Sequence, residues 1–373
     1  MKLSLLQENF NTALASVSRF ISAKSQLPIL SNILLSTDSG RLKLSATNLE
    51  LGINYWIGSK ITTEGGLTVP AKEITEFVSY LPPGRIDLEL DSQNLLHLAT
   101  SKAQSTFTTI PPSDYPSLPG INPDTAFDLD LSILNQAVAQ VTAAAAADDT
   151  RPVLTAVLFQ LTPNALSLVA TDGFRLSQKL IRLVNPVDLH QEQPLVFLIP
   201  SRSLVEVTKL ARSSKTVKMG LTPDGHQLVF VLDDLELVSR LIEGDYPNYQ
   251  RIIPESFATK IFVNKSEFSQ SIKIASVFAK ESANVVKFNV KPSSVELTAN
   301  APQLGQNQAS FEARVEGEPL QIAFNYKFVS EFLSVCKGDE IVIELNESLT
   351  PGFFHDQSDP EFVHIIMPVR LQD

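Results

Sequence analysis

The sequence predicts an α+β protein of three similar domains, and three recurrences along its 373 residues predict it. The first is a strand ending, Leu44-Ser45-Ala46-Thr47-Asn48, which returns as Leu168-Val169-Ala170-Thr171-Asp172 and as Leu297-Thr298-Ala299-Asn300. Its alanines lie 124 and then 129 residues apart. The second is a helix opening, Val69-Pro70-Ala71, Ile199-Pro200-Ser201 and Phe324-Asn325-Tyr326. The third, Asp114-Tyr115-Pro116 and Asp245-Tyr246-Pro247, closes the first two repeats 131 residues apart. A period this long is the size of a domain, far beyond the roughly 20–50 residues of a solenoid repeat.

Each repeat carries an amphipathic helix early in its length. Phe10, Ala13, Leu14, Val17, Phe20 and Ile21 recur at i, i+3, i+4, i+7, i+10 and i+11, which is one face of an amphipathic helix. Leu134, Ala137, Val138, Val141 and Ala145 fill that place in the second repeat, and Phe268, Ile272, Ala275, Val277 and Phe278 in the third. A strand pair follows. Ile33-Leu34-Leu35-Ser36 runs into a turn at Asp38-Ser39-Gly40, and Leu42, Leu44 and Ala46 then alternate with polar residues, as Leu166/Leu168/Ala170 and Val295/Leu297/Ala299 do later. A second helix is expected over 71–81, 201–211 and 326–335, and further strands such as Ile86-Asp87-Leu88-Glu89-Leu90 finish each unit. Proline-rich junctions at 111–120 and 254–256 set the expected domains at 1–120, 121–253 and 254–373.

Composition narrows the class. Hydrophobic residues make up 43 % and charged ones 19 %, enough for a core in each domain. No apolar run reaches 18 residues, so no membrane span is expected, and Gln7-Glu8-Asn9 interrupts the start before a signal peptide's apolar stretch. The single cysteine, Cys336, excludes an internal disulfide, fits a reducing cytoplasm and lies in an apolar stretch that reads as core. The five histidines are scattered without metal-site spacing, and no Walker A, GxGxxG or GxSxG pattern occurs. Asp172 occupies the slot of Asn48, so it reads as a turn-former and not as a general base. No enzyme, metal or cofactor is expected.

The net charge of −11 points away from a conventional DNA-binding surface, so any contact with DNA rests on where the cations sit. The helix segments carry Arg19, Lys24, Lys72, Arg202, Lys209, Arg212, Lys273 and Lys280 beside Glu8, Glu73, Glu76, Glu206, Glu267 and Glu331, a modest cationic bias that ordinary solvated helix faces would also show, while Asp87, Glu89, Asp233, Asp234, Glu236 and Glu344 lie on strands and turns. One domain type repeated three times puts its helices on the same side each time. Two such chains joined head to tail through a closing rotation bring twelve helices onto one circle. At ~10 Å between neighbouring axes the circle is ~38 Å across. Subtracting one helix diameter leaves a hole of roughly 27 Å, room for a duplex. A three-domain scaffold that binds peptides without encircling DNA is the competing class, and it differs in one outcome, retention on a closed circle.

Four marks on this repeat, Leu27-Pro28-Ile29-Leu30-Ser31-Asn32, Ala170-Thr171-Asp172-Gly173-Phe174-Arg175-Leu176, Asp245-Tyr246-Pro247-Asn248-Tyr249 and Met367-Pro368-Val369-Arg370-Leu371, closely resemble the bacterial DNA polymerase III β subunit family, the replicative sliding clamps, along essentially the full chain. The resemblance implies a homodimeric head-to-tail ring that encircles duplex DNA. It implies no catalytic activity, a place beside a 3′–5′ exonuclease in the replication complex, and an ATP-driven clamp loader to open the ring. It implies further a groove between the second and third domains for short peptides of the replicative polymerase, other polymerases and repair proteins.

The positions matching that groove are Leu154, Thr171, Gly173, Phe174, Arg175, Leu176, Pro247, Arg251, Ile252, Ile365, Ile366, Met367, Pro368, Val369, Arg370 and Leu371. Apolar walls with a flexible methionine suit varied Leu and Phe side chains, and Arg175, Arg251 and Arg370 suit a carboxylate. Leu154 and Leu176, taken alone, read as core. Phe174 stands where the family often has histidine, which makes the pocket more apolar, and Gln372-Asp373 run past the usual terminus toward the groove. Lys24 matches a basic first-domain position that faces DNA in the family. In the loop Asp148-Asp149-Thr150-Arg151-Pro152-Val153 only Arg151 is a candidate for DNA. The dimer contact implied is Phe107 against Val277 and Phe278, and Ala103-Gln104-Ser105-Thr106 lacks the charged partners that the family often places beside it.

Overall fold

The order strand, helix, strands, helix, three strands is run through three times. This computed structural model describes residues 1–21, 27–189, 193–211, 214–254 and 256–370. Lys24, His190, Arg212, Leu371, Gln372 and Asp373 lie outside the described residues. The six α-helices among the described residues are α1 Gln7–Val17, α2 Ala71–Tyr80, α3 Leu131–Thr142, α4 Ser201–Leu210, α5 Lys265–Ala279 and α6 Tyr326–Val335.

Helix α1 buries Phe10, Ala13, Leu14 and Val17, the expected stripe, and a 3₁₀ turn at Ser18–Phe20 buries Phe20. Each such fully buried Leu, Val or Phe contributes about 1.5–3 kcal/mol. The stripe stops one residue short of the expectation, because Ile21 is already extended at φ −83°, ψ 138°. Ala145 likewise falls beyond the end of α3, in a turn closed by its N–H on the Thr142 carbonyl. In α5 the buried residues are Phe268, Ser271, Ile272, Ala275 and Ala279, whereas Val277 is 59 % exposed. Two residues beyond Ala275 is about 200° around the helix, the wrong side for the core. Asn264 and Asn325 start α5 and α6 by accepting N–H groups at Ser266 (2.9 Å) and Lys327 (3.0 Å).

The strands form antiparallel sheets within two compact units, residues 1–131 with 206–241, and residues 132–205 with 242–373. In the first unit a five-stranded sheet has the strand Gln104–Thr108 at one edge. An eight-stranded sheet joins the first two repeats, because strand Leu51–Gly58 pairs with Leu235–Arg240, Ile53 opposite Leu237. In the second unit a twelve-stranded sheet joins the last two repeats in the same manner. There strand Arg175–Arg182 pairs with Asp359–Ile366, Ser177 opposite His364. The compact units therefore follow the sheets and divide the middle repeat.

The expected first hairpin is present as strands Asn32–Asp38 and Arg41–Thr47, turned by Ser39 and Gly40 at φ 51° and 75°. Cys336 is buried, and that burial pushes its thiol far above the ordinary range. An extensive apolar cluster lies in the third repeat, where Phe268, Phe288, Phe324 and Phe354 meet edge to face in succession and Phe332 tilts against Phe354.

Candidate functional site

The candidate groove lies within the second unit, where the strand pair Arg175–Arg182 and Asp359–Ile366 sets Arg175 opposite Ile366 and Leu176 opposite Ile365. Its floor is a cluster of Ala156, Leu158, Val169, Leu176, Leu198, Tyr249, Phe353 and Ile365, with Val153, Ile242 and Tyr246 packed against it. Leu154, Leu176, Ile365 and Ile366 are buried, so they shape the groove from below. The Leu154 N–H closes its turn on the Arg151 carbonyl at 2.9 Å.

A turn built by Thr171 and Asp172 raises Phe174 above that floor. The Asp172 carboxylate accepts the N–H groups of Phe174 (2.8 Å) and Arg175 (3.0 Å), and the Thr171 hydroxyl donates to the Arg175 carbonyl at 2.6 Å. Gly173 supplies the left-handed φ of +90° that the turn requires. Asn48 does the same work in the first repeat, accepting the N–H groups of Glu50 (3.0 Å) and Leu51 (2.7 Å). Asp172 is thus a turn-former, as its repeat slot implies.

Phe174 is 63 % and Met367 38 % exposed, and the Met367 N–H bonds the Phe174 carbonyl at 2.9 Å. The backbone thereby holds two apolar side chains side by side. Val369 is fixed through its N–H to the Ala323 carbonyl at 2.8 Å, and Pro368 before it is half-buried. Pro247 is exposed between two anchored tyrosines. Tyr246 donates its hydroxyl to the Val169 carbonyl at 3.4 Å, and Tyr249 donates to the Gln160 side-chain oxygen at 3.1 Å. Burial pushes both phenols above their ordinary value. Ile252 and the adjoining Ile253 are exposed as well.

The three arginines differ. Arg175 is largely buried, pairs with Asp172 at 3.2 Å and with Glu331, and lies 4.2 Å from the ring centre of Phe328. Its fork is thus engaged inside the fold, while Arg251 and Arg370 are exposed. Arg151, singled out for DNA, donates to the Asp172 carbonyl at 3.1 Å and so stands at the groove's own turn. Sequence reasoning missed Arg151's place here, the Phe328–Glu331 seat of Arg175 and the exposed Ile253. The repeated Asp-Tyr-Pro mark was the signal for Tyr246, since Tyr115 likewise reaches the Ser45 carbonyl at 3.3 Å.

Beneath the groove His364 is buried, accepts or donates at Ser177 over 2.7 Å and stacks 5.5 Å from Phe332. Burial, with Arg175 nearby, holds its pKa down at about 3. A neutral ring is the form this pocket keeps.

The remaining candidates lie on helices and strand edges. Lys72, Arg202, Lys209, Lys273 and Lys280 are exposed on or at the end of α2, α4 and α5, and Glu206 bridges Lys209 (3.0 Å) and Arg19 (2.5 Å). Phe107 is half-buried on the edge strand with its ring 5.6 Å from Phe77, and Phe278 is half-buried on α5. No helix of the described residues is long and apolar enough to cross a membrane. Among the same residues no cluster of three or more His, Cys, Asp or Glu is arranged to hold a metal.

Comparison with known proteins covers the whole length. Models of the N-terminal, central and C-terminal domains of the DNA polymerase III beta subunit match residues 1–119, 128–248 and 250–370. The beta sliding clamp of Synechococcus elongatus is 30 % identical over 378 residues, covering 100 % of both chains. That of Bacillus subtilis is 28 % identical over 381 residues, covering 99 % of this chain and 100 % of its own. Among solved structures, the Bacillus subtilis DNA polymerase sliding clamp superimposes with a TM-score of 0.94 at 28 % identity, and the Thermotoga maritima beta subunit with 0.89 at 29 %, each covering 100 % of both chains.

Proposed function

The chain belongs to the DNA polymerase III beta subunit family, and from that premise we propose that two copies close head to tail into a ring around duplex DNA and tether the replicative polymerase through the groove at Phe174 and Met367. The protein is a sliding clamp, a processivity factor without catalysis of its own. Its three domains are taken as 1–120, 121–253 and 254–373, and its compartment as the cytoplasm.

One observation carries the ring. Both internal junctions are the same pairing, in which the strand after the recurring turn in one repeat meets the last strand of the next. Two strands are left over, the last strand of the first repeat, Gln104–Thr108, and the first half of Gly305–Glu316 in the third. Among the described residues neither has a sheet neighbour on its second side. A second copy offers each the partner it lacks, and two such seams close the circle. Phe107 then meets Val277 and Phe278 of the second copy.

Lys24, Lys72, Arg202, Lys209, Arg212, Lys273 and Lys280 face the duplex in this reading, and Arg151 serves the groove. Encirclement replaces tight contact, so direct affinity for DNA is weak and falls with salt. Phe174, Ile252 and Met367 supply the apolar contact for a short peptide, and Arg251 and Arg370 its polar one. Other polymerases and repair proteins compete for the same groove, and an ATP-driven loader opens the ring.

Retention on DNA tests the proposal. Protein loaded by such a loader onto a nicked circle stays with the circle through gel filtration and leaves when the circle is cut to a linear form. Equal retention on both forms, or on neither, overturns encirclement.

A further inference from the structure

We infer that the seam between two copies pairs Asn307 with Ser105 of the second copy, in a fixed register, and that this seam is an uncharged ladder of amides and hydroxyls. The inference rests on the ring reading and specifies which atoms close it.

The register follows from the two junctions inside the chain. Ala46, Ala170 and Ala299 hold equivalent places, and the residues opposite them are Ile53, Ser177 and Asn307. On the last strands, Leu237 lies opposite Phe230, His364 opposite Phe354, and Ser105 opposite Leu98. Ile53 pairs with Leu237 and Ser177 with His364, so both junctions share one register. Carrying it to the unpaired strands sets Asn307 opposite Ser105, Gln308 opposite Gln104, Gln306 opposite Thr106 and Gly305 opposite Phe107.

Two independent observations agree. Exposure alternates in step along both strands, since Ser105, Phe107, Asn307 and Ala309 are half-buried and Gln104, Thr106, Gln306 and Gln308 exposed. A slip by one residue sets a half-buried face against an exposed one throughout. The Asn307 side-chain oxygen is also buried without a hydrogen-bond partner in the single chain. An acceptor in that state costs about 1–3 kcal/mol. The Ser105 hydroxyl, arriving directly opposite, donates to it. The corresponding place in the internal junction holds Ser177 hydrogen-bonded to His364 at 2.7 Å, the same device with the partners exchanged.

Neither 103–108 nor 305–311 contains Lys, Arg, Asp or Glu. The seam therefore draws on backbone pairing, the Asn307–Ser105 bond and the packing of Phe107 over Gly305, and screening by salt does not loosen it.

Cysteine pairs in the full chain test the register. Residues directly opposite have Cβ atoms about 4.5–5.5 Å apart, within reach of a disulfide after small adjustment. Ser105→Cys with Asn307→Cys is expected to yield a covalent dimer on non-reducing gels, while Thr106→Cys with Asn307→Cys, or the unmodified chain with Cys336 alone, is not. Coupling at the exposed face is the second readout. Gln104→Lys with Gln308→Glu should dimerise more tightly than the two single changes predict, by up to about five-fold for each of the two seams and so up to about 30-fold in the dimer, and Gln104→Lys with Gln306→Glu should show no such coupling. A dimer by sedimentation that cross-links at the slipped pair, or that neither cross-links at 105 and 307 nor couples at 104 and 308, overturns the register and leaves the ring standing. A monomer at every concentration removes the ring reading and the register with it.

Discussion

The two internal sheet junctions are the same structure with different side chains. In each a hydroxyl and an Asn or Asp close the turn, and one backbone bond joins the turn to the end of the last strand, at its final residue in the first junction and one residue beyond it in the second. That bond is Arg240 N–H to the Glu50 carbonyl (2.8 Å) in the first junction and Met367 N–H to the Phe174 carbonyl (2.9 Å) in the second. The first junction therefore presents Glu50 and Arg240 where the second presents Phe174 and Met367. Beneath them the first has the apolar pair Ile53 and Leu237, the second the polar pair Ser177 and His364. The scaffold is held in common, and the capacity to bind a peptide resides in a few side chains placed on it.

The largest effect expected from this comparison is on binding. Phe174→Ala with Met367→Ala should cost a polymerase-derived peptide at least about 30-fold in affinity, the scale of two lost apolar anchors. Glu50→Ala with Arg240→Ala, at the sister junction, should leave that affinity within about two-fold. Fluorescence polarisation of a labelled peptide reads both, and equal losses would mean that the groove is not the binding site.

Acid should separate the junctions next. The folded-state pKa of His364 lies at about 3, below its ordinary 6.5, so the folded protein favours the neutral ring. Its contribution to stability is complete above about pH 6.5 and is lost as the pH falls from there toward 3, because the unfolded chain takes up a proton that the folded one refuses. Down to pH 4.5 the loss amounts to about 2–3 kcal/mol. Ser177→Ile with His364→Leu copies the first junction and should flatten that decline in urea unfolding, while an unchanged slope would assign the acid sensitivity elsewhere.

A smaller difference lies in the turns. Gly173 has φ +90°, and its counterpart Leu49 holds a left-handed φ of +73° with a full side chain. Gly173→Ala should destabilise by about 1–2 kcal/mol. Leu49→Gly should fall within about 0.5 kcal/mol of zero, since relief at the turn is offset by added freedom in the unfolded chain. Thermal melts of the two variants check the asymmetry.

Much of this was readable in the sequence because the repeats repeat their physics. The alanine-centred strand endings and the helix stripes recur three times and the Asp-Tyr-Pro mark twice, and a feature seen more than once survives the ambiguity of one short apolar run. Phe174 and Met367 were identified through the family's motif, and their adjacency rests on one backbone hydrogen bond that no local pattern encodes. Arg175 and Arg151 show the limit. Both read as free cations in sequence, yet Asp172 and Glu331 engage the first and the Asp172 carbonyl the second, through pairing between residues as many as 156 positions apart. Glu331 reaches Arg175 from α6 and Asp172 reaches it from the turn before its strand, placements that only the tertiary fold fixes, and the ends of two helices were misjudged as well. Ile21 and Ala145 continue the apolar period, but the backbone has already turned away.

Sedimentation equilibrium of the full chain at micromolar concentration tests the central claim most directly. Closure through two strand seams predicts a single species of twice the 40.9 kDa chain mass, unchanged as salt is raised. A species of 40.9 kDa throughout would mean that the two unpaired strands do not find each other in a second copy.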